Sequence, residues 1–132
     1  MTLHLDTNLL IDLVTAGSPH IAVVRQWLKD GHQLGASAIA WSEFCNGPLS
    51  KEQKDAVFGI LEQRVNDFTW QQAELASRLF HRTGRKRGSH ADCMIAASAM
   101  THGVPVATRN IKDFEKFEPY GVRLLRVATQ TA

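Results

Sequence analysis

Short apolar segments alternate along this chain with segments whose apolar residues recur at helical spacing. Such alternation is typical of βα units, which build a mostly parallel sheet covered by helices on both faces. The pattern therefore predicts an α/β fold, specifically a three-layer α/β/α sandwich with a mostly parallel central sheet. The strand candidates are residues 3–5, 33–38, 65–68, 104–107 and 122–127.

Local capping signals mark where the helices begin. Serine and threonine are favoured N-cap residues, a glutamine three residues later completes a capping box, and proline suits the first helical turn. One of these helices is expected to run to about Arg64, and the last one to end at Gly103. The predicted capping boxes are Ser50–Gln53 and Thr69–Gln72, and further starts are predicted at Ser18–Pro19 and Ser89.

Composition is that of one ordinary globular domain, predicted to cover residues 1–132. Apolar residues make up 44% of the chain and charged residues 21%, and the net charge of +2 is too small to indicate nucleic-acid binding by itself. We expect no leader peptide and no membrane contact, because no run approaches the roughly 20 apolar residues of a spanning helix. Cys45 and Cys93 lie far apart and outside any metal-binding spacing, so a reducing, cytoplasmic location is expected.

Acidic side chains follow several of the predicted strands. Asp6 ends the first strand, Glu43 lies early in the helix after the second, and Asp92 lies in the first turn of a later helix. Asn110 and Asp113 follow the strand at 104–107. Ligands of open parallel sheets bind beyond the carboxyl ends of the strands. We therefore expect the four acids to converge at one edge of the sheet.

Clustered carboxylates indicate a divalent cation, because like charges at short range raise each other's pKa unless a counter-ion is present. Ligands that are all oxygen atoms favour Mg²⁺, for which Mn²⁺ can substitute, over zinc. A metal held in this way binds phosphate oxygens and activates water for in-line attack. The chemistry that fits is hydrolysis of a phosphodiester bond.

Four short motifs occur in order, and each contains one of the predicted acids. They are Leu5-Asp6-Thr7-Asn8, Ser42-Glu43, Asp92-Cys93-Met94-Ile95-Ala96-Ala97 and Ala107-Thr108-Arg109-Asn110-Ile111-Lys112-Asp113-Phe114. Together they resemble PIN-domain proteins, specifically the VapC toxins of bacterial toxin–antitoxin operons. This resemblance extends over nearly the whole chain. It implies a Mg²⁺-dependent endoribonuclease that acts on RNA, forms a homodimer and is inhibited by a cognate antitoxin.

By position, the resemblance assigns Asp6, Glu43 and Asp92 to the first three acids of the family. It also assigns Thr7 to the hydroxyl residue that supports the first acid. We expect one Mg²⁺ held mainly by Asp6 and Asp92, with Glu43 acting partly through water.

The fourth acid departs from the family pattern. Many members carry an acid at the position of Asn110, whereas this chain offers Asp113 three residues later. An amide supplies no charge, so the sequence leaves open whether one or two metal ions bind and which residue fills the fourth position. Asp113 is expected to act through water, and Asn8, Thr108 and Asn110 to support the site.

Basic residues near the predicted acids are candidates for RNA binding. Four of them fall within six residues just before the helix that carries Asp92, and phosphate contacts of this kind position a strand without specifying its sequence. His90 can touch the substrate, although a surface histidine is the simpler interpretation. Trp27, Trp41 and Trp70 are expected on apolar helix faces. The candidate RNA-binding residues are Arg82, Arg85, Lys86, Arg87 and Arg109.

Structural roles compete with these assignments. Asp6 and Asp92 both lie where an acid caps a helix or interacts with its dipole. Glu43 can be a solvated surface residue, and Asp113 a loop cap.

Two other functional classes also remain open. A receiver domain or an aspartate-nucleophile phosphatase also places an Asp after the first strand, but the second Asp of such a phosphatase is replaced by Asn8. A non-catalytic RNA-binding or protein-interaction module on the same fold is the second alternative.

Overall fold

The computed structural model describes residues 1–128, and it confirms the predicted parallel α/β sandwich. Five strands form one sheet in the order β3-β2-β1-β4-β5, and every neighbouring pair is parallel. The predicted domain of residues 1–132 includes four residues that lie outside the described part. The strands are β1 (Thr2–Leu5), β2 (Gln33–Ser37), β3 (Val65–Asn66), β4 (Val106–Thr108) and β5 (Leu124–Arg126).

Seven α-helices connect these strands within the described residues, and a short 3-10 helix at Glu115–Tyr120 precedes β5. The direction of travel across the sheet reverses after β3. Because parallel connections are right-handed, this reversal places the helices before and after β3 on opposite faces of the sheet. The helices are α1 (Thr7–Asp12), α2 (Ile21–Lys29), α3 (Ala38–Cys45), α4 (Lys51–Ile60), α5 (Trp70–Arg82), α6 (His90–His102) and α7 (Ile111–Phe114).

The switch in strand order falls between β1 and β4. These strands are neighbours, with Leu5 in register with Ala107, although about a hundred residues separate them in the sequence. The Asp6 N–H donates to the Ala107 carbonyl at 2.9 Å and extends the pairing by one residue. The residues that follow β1 and β4 therefore emerge side by side, at the point where ligands bind in open α/β sheets.

Strand β1 is the central strand of the sheet and is buried. Leu3 and Leu5 are almost completely buried, as is His4, whose Nε2 accepts a hydrogen bond from Asn66 Nδ2 at 2.9 Å. Gly35, beside His4 in β2, lies where an added Cβ would come within 3.0 Å of the Arg64 carbonyl oxygen. A larger residue there would push β3 away from β2.

Both predicted capping boxes are confirmed, at Ser50–Gln53 and at Thr69–Gln72. Several predicted boundaries were wrong. The helix expected to start at Ser18–Pro19 begins at Ile21, and the helix expected to reach Arg64 ends at Ile60. The segment between Ile60 and β3 instead turns through Glu62 and Gln63, both of which have positive φ.

Two predicted side-chain environments were also wrong. Trp70, expected on an apolar face, is 68% exposed at the start of α5. Ser89 does precede α6, but its hydroxyl donates to the Lys86 carbonyl at 2.7 Å and does not cap the helix.

Cys45 and Cys93 are both free thiols. Among residues 1–128, no helix has the length and apolar character required to cross a bilayer.

Candidate active site

An acidic pocket of about 240 Å³ opens at the carboxyl ends of β1 and β4. Its walls come from the start of α1, the middle of α3, the first turn of α6 and the loop after β4. Three of the four predicted acids meet here. The lining residues are Asp6, Thr7, Asn8, Ile11, Glu43, Asp92 and Asn110.

Asp6 is the most firmly held of these acids. It is only 4% exposed, and its Oδ1 accepts the N–H of Thr7 at 2.7 Å. Its Oδ2 accepts the hydroxyl of Thr108 at 2.7 Å and the amide of Asn8 at 3.1 Å. Burial raises the pKa of Asp6, and the charges of Glu43 and other nearby acids act in the same direction. The hydrogen bonds oppose this rise because they stabilise the ionised form.

Two threonine hydroxyls donate hydrogen bonds to the acids in an arrangement that differs from the predicted one. The hydroxyl of Thr7, expected on Asp6, donates to Glu43 Oε1 at 2.7 Å. The hydroxyl on Asp6 belongs to Thr108, which also accepts the N–H of Asn110 at 2.9 Å. Thr7 contacts Asp6 through its backbone only. Thr108 can make its contact because β4 is the neighbour of β1.

The surroundings of Asp92 shift its pKa strongly. Burial raises its pKa to about 7, and the charges of Asp6, Asp113 and Glu43 contribute to the rise. Lys116 acts in the opposite direction. Among residues 1–128, Asp92 has no side-chain hydrogen bond that stabilises its ionised form. Its negative charge is therefore poorly compensated by the protein alone.

Asp113 lies on the far side of Asp92, in a smaller pocket of about 80 Å³. Asp92 lines both pockets, whereas Asp113 lines only the second. Asp113 Oδ1 is 3.8 Å from Lys86 Nζ, and Lys116 also lines this pocket. The charge of Asp113 still raises the pKa of both Asp6 and Asp92. Asn110, the alternative for the fourth position, lines the first pocket.

The acids do not form a closed metal cage as they stand. In the described part of the chain, no three His, Cys, Asp or Glu side chains are close enough together to hold a metal ion. The chemistry of the donors nevertheless fits a hard cation, because the carboxylates are all oxygen ligands with uncompensated charge. In addition, Asn8 Oδ1 is buried and has no hydrogen-bond partner among residues 1–128. A buried carbonyl oxygen of this kind is suited to accept a hydrogen bond from a metal-bound water.

The candidate RNA-binding residues lie in different surroundings. Arg109 is held by Asp12, with Nε–Oδ2 and Nη2–Oδ1 distances of 2.8 and 3.3 Å. Asp12 is buried, and its role could not be predicted from the sequence because its partner Arg109 follows a strand and lies 97 residues later. Arg82 lies 5.8 Å from the centre of the Tyr120 ring. Lys86 and Arg87 are exposed and line the second pocket.

Solved structures with the same fold include chains from several toxin–antitoxin complexes. The toxin–antitoxin complex from Klebsiella pneumoniae has a chain 25% identical to this one, with a TM-score of 0.73 over 98% of this chain and 100% of that chain. FitAcB from Neisseria gonorrhoeae is 26% identical, with a TM-score of 0.67 over 96% and 97% of the two chains. VapBC2 from Rickettsia felis, bound to a DNA fragment from its promoter, is 20% identical, with a TM-score of 0.71 over 96% and 99%.

A comparison with curated protein sequences gives no significant match. The family model of the PIN domain, in contrast, matches residues 3–118, which include all four motifs that carry the resemblance. The predicted resemblance to VapC-type PIN proteins is thus confirmed by both the family model and the solved structures. This chain belongs to the PIN-domain family.

Proposed function

We propose that the chain is a Mg²⁺-dependent endoribonuclease toxin that a cognate antitoxin neutralises. The observation that carries this proposal is the acidic pocket, where Asp6, Glu43 and Asp92 converge from separate elements. Burial and mutual repulsion raise the pKa of Asp92 to about 7, so a neutral pH leaves excess negative charge that a divalent cation would balance. Once a cation balances the carboxylates, the open pocket can accept the negatively charged phosphate of a phosphodiester.

Asp6 and Asp92 would hold the metal, with Glu43 and Asp113 contributing through water molecules. Mg²⁺ commonly keeps several waters and uses few protein carboxylates, so an incomplete cage is compatible with it. Mn²⁺ is expected to substitute because it accepts the same oxygen ligands. When bound, such a metal polarises the phosphate and lowers the pKa of the attacking water.

The protein side chains supply orientation and proton transfer. Thr108 and Asn8 fix both the rotamer and the charge of Asp6 through hydrogen bonds to Oδ2. The Thr7 hydroxyl holds Glu43 Oε1, so Oε2 of this exposed carboxylate is available to accept a proton from the attacking water. The buried Oδ1 of Asn8 would orient a metal-bound water.

The antitoxin partner is supported by the solved structures that share this fold. The chains from K. pneumoniae and N. gonorrhoeae are at least 25% identical to this one, and the first comes from a complex described as toxin–antitoxin. An acidic pocket of this kind is complementary to a basic side chain from a protein inhibitor. We also propose that the protein forms a homodimer and acts in the cytoplasm.

The deciding experiment measures cleavage of labelled RNA by the pure protein with Mg²⁺, with Mn²⁺ and with EDTA. Asp6→Asn and Asp92→Asn are each expected to lower the cleavage rate at least a hundredfold, since each removes a metal-binding charge. Asp55→Asn is a matched control, because Asp55 is exposed in α4 and forms an exposed ion pair with Lys51. Its cleavage rate should equal that of the wild type.

Other outcomes would contradict the proposal in different ways. Full activity in both site variants would exclude the acidic pocket as the catalytic centre. RNA binding without cleavage under any metal condition would instead favour a non-catalytic module on the same fold. The presence of Asn110 in place of an acid would be consistent with that outcome. Formation of an aspartyl-phosphate would favour a phosphoryl-transfer protein.

A further inference from the structure

We propose that a surface on the other side of the first turn of α6 from the acidic pocket binds a nucleobase of single-stranded RNA. This surface, termed here the stacking surface, consists of Phe80, His81, Arg85 and His90 at the junction of α5 and α6. The proposal rests on the proposed function, because it identifies how the same RNA substrate would be held next to the site of cleavage.

Stacked rings form the centre of this surface. The rings of Phe80 and His90 have centroids 4.1 Å apart and an interplanar angle of 19°. His81 meets the edge of Phe80, with centroids 5.9 Å apart and an angle of 71°. Phe80 is half-buried, whereas His81 and His90 are exposed. Phe80 therefore covers one face of the His90 imidazole, while the exposed part of the ring remains accessible to a ligand.

A groove adjoins the stacked pair and has a size and chemistry suited to a flat ring. It encloses about 130 Å³, and its floor consists mainly of small or apolar side chains. Stacking on aromatic side chains is sequence-tolerant because every base has an apolar face, and polar groups at the edge can then read the base. The lining residues are Ala73, Ala76, Ser77, Phe80, His90, Cys93 and Met94.

Helix α6 separates this groove from the acids by the width of its first turn. His90 and Cys93 are three residues apart and share one face of the helix, and both line the groove. Asp92 is two residues from His90, which places it about 200° around the helix axis, on the side that lines the acidic pocket. Along the axis the two residues differ by only about 3 Å. An RNA that follows the basic loop across the N-terminal end of α6 would therefore reach the acids with a phosphate and the groove with a base farther along the strand.

Positive charge beside the rings favours RNA over an apolar protein segment. Arg85 has a positive φ of 54° and folds back so that its Nε donates to His81 Nδ1 at 2.8 Å. Lys86 and Arg87 continue the same exposed loop toward the second pocket. Cations interleaved with aromatic rings are typical of surfaces that bind single-stranded nucleic acid, since cations track the phosphates while rings stack on the bases.

The test measures binding in EDTA, so that it does not depend on catalysis. One probe is a fluorescein-labelled random-sequence RNA oligonucleotide, and the other is a ribose–phosphate chain of equal length without bases. His90→Ala should weaken binding of the first probe about tenfold, the loss typical of one stacked base, and leave binding of the second unchanged. His90→Phe should restore binding, because it preserves the aromatic face.

Trp70→Ala is the matched control, since it removes a 68% exposed aromatic side chain from the opposite end of α5. It should bind both probes as the wild type does. Equal affinity of His90→Ala and wild type for RNA, equal losses in the two variants, or no RNA binding by the wild type would each overturn the proposal. A change of oligomeric state in His90→Ala without a change in RNA affinity would also overturn it and assign the surface to a protein partner.

The nuclease activity and the stacking surface can be rejected separately. A base-dependent loss in His90→Ala, together with a wild-type protein that cleaves no RNA, would retain the stacking surface and reject the nuclease. Normal Mg²⁺-dependent cleavage with base-independent binding would retain the nuclease and reject the stacking surface.

Discussion

Asp6 and Asp92 lie in the same pocket, but the protein treats their charges differently. Asp6, between β1 and β4, is almost completely buried and receives three hydrogen bonds from Thr7, Asn8 and Thr108. Asp92, in the first turn of α6, is partly exposed, and the nearby acids and burial raise its pKa to about 7. The fold itself thus holds one carboxylate in place, whereas the other depends on a ligand to balance its charge. This difference predicts which changes alter stability and which alter activity.

The largest effect is expected at Asp92, with opposite signs for stability and activity. The pKa of Asp92 lies near 7 in the folded state and near its ordinary value of 3.8 in the unfolded state. The folded state therefore binds more protons between these values, and metal-free stability falls as the pH rises from about 4 to about 7 and levels off above that. Asp92→Asn should raise the free energy of unfolding at pH 8 in EDTA by about 2 kcal/mol, allowing for the partial exposure of this side chain.

Thermal unfolding of both proteins between pH 4 and pH 8 checks this prediction. The pKa of His4, lowered to about 4 by burial and by His102, destabilises the folded state as the pH falls below about 6.5. That effect is common to both proteins and cancels in their difference. Added Mg²⁺ should stabilise the wild type but not Asp92→Asn. A variant that is less stable than the wild type at pH 8 in EDTA would show that Asp92 has a structural role.

The second effect concerns the two threonine hydroxyls, which provide a matched pair. Thr108→Val removes a donor from the buried Oδ2 of Asp6, and Thr7→Val removes a donor from the exposed Glu43. Thr108→Val should lower the free energy of unfolding by about 1–2 kcal/mol, because it leaves a buried carboxylate short of a hydrogen bond. Thr7→Val should change stability by less than about 0.5 kcal/mol.

Denaturant unfolding and RNA cleavage, measured on both variants, distinguish these roles. Thr108→Val should also lower the cleavage rate more than Thr7→Val does, since it perturbs the acid that is best ordered. Thr108→Ser keeps the hydroxyl and serves as the control. Equal stability losses in the two valine variants would contradict the contrast drawn between the buried and the exposed carboxylate.

The positions of the pocket residues were easier to predict from the sequence than the hydrogen bonds between them. The position of Asp6 follows from a buried strand that ends at an acid, and that of Asn110 from the same logic at β4. The hydroxyl of Thr108 on Asp6 could not be predicted from local pattern, because it depends on the adjacency of β1 and β4, 102 residues apart. A pattern along one strand does not identify that strand's neighbour.

Side-chain contacts at the junction of α5 and α6 were also hidden from the sequence. The stacking of His90 on Phe80 depends on the path of the intervening loop, where Gly84, Arg85 and Gly88 all have positive φ. Asp113 lines the second pocket. Its position could not be predicted, because α7 is a single turn and is too short for apolar periodicity to indicate its direction. Apolar spacing describes which face of a helix is buried, but it does not describe how a loop positions the next helix.

The smallest effect is expected at Lys86, on the exposed side of Asp92. Its side chain is 65% exposed and 3.8 Å from Asp113, so Lys86→Ala should change the free energy of unfolding by less than about 0.5 kcal/mol. If Lys86 contacts an RNA phosphate, its removal should reduce the slope of log Kd against log salt concentration by roughly one. Lys51→Ala, which breaks a more exposed ion pair with Asp55, should leave that slope unchanged. Identical slopes for both variants and the wild type would remove Lys86 from the RNA path, and the acidic pocket would then have to recruit RNA through other cations.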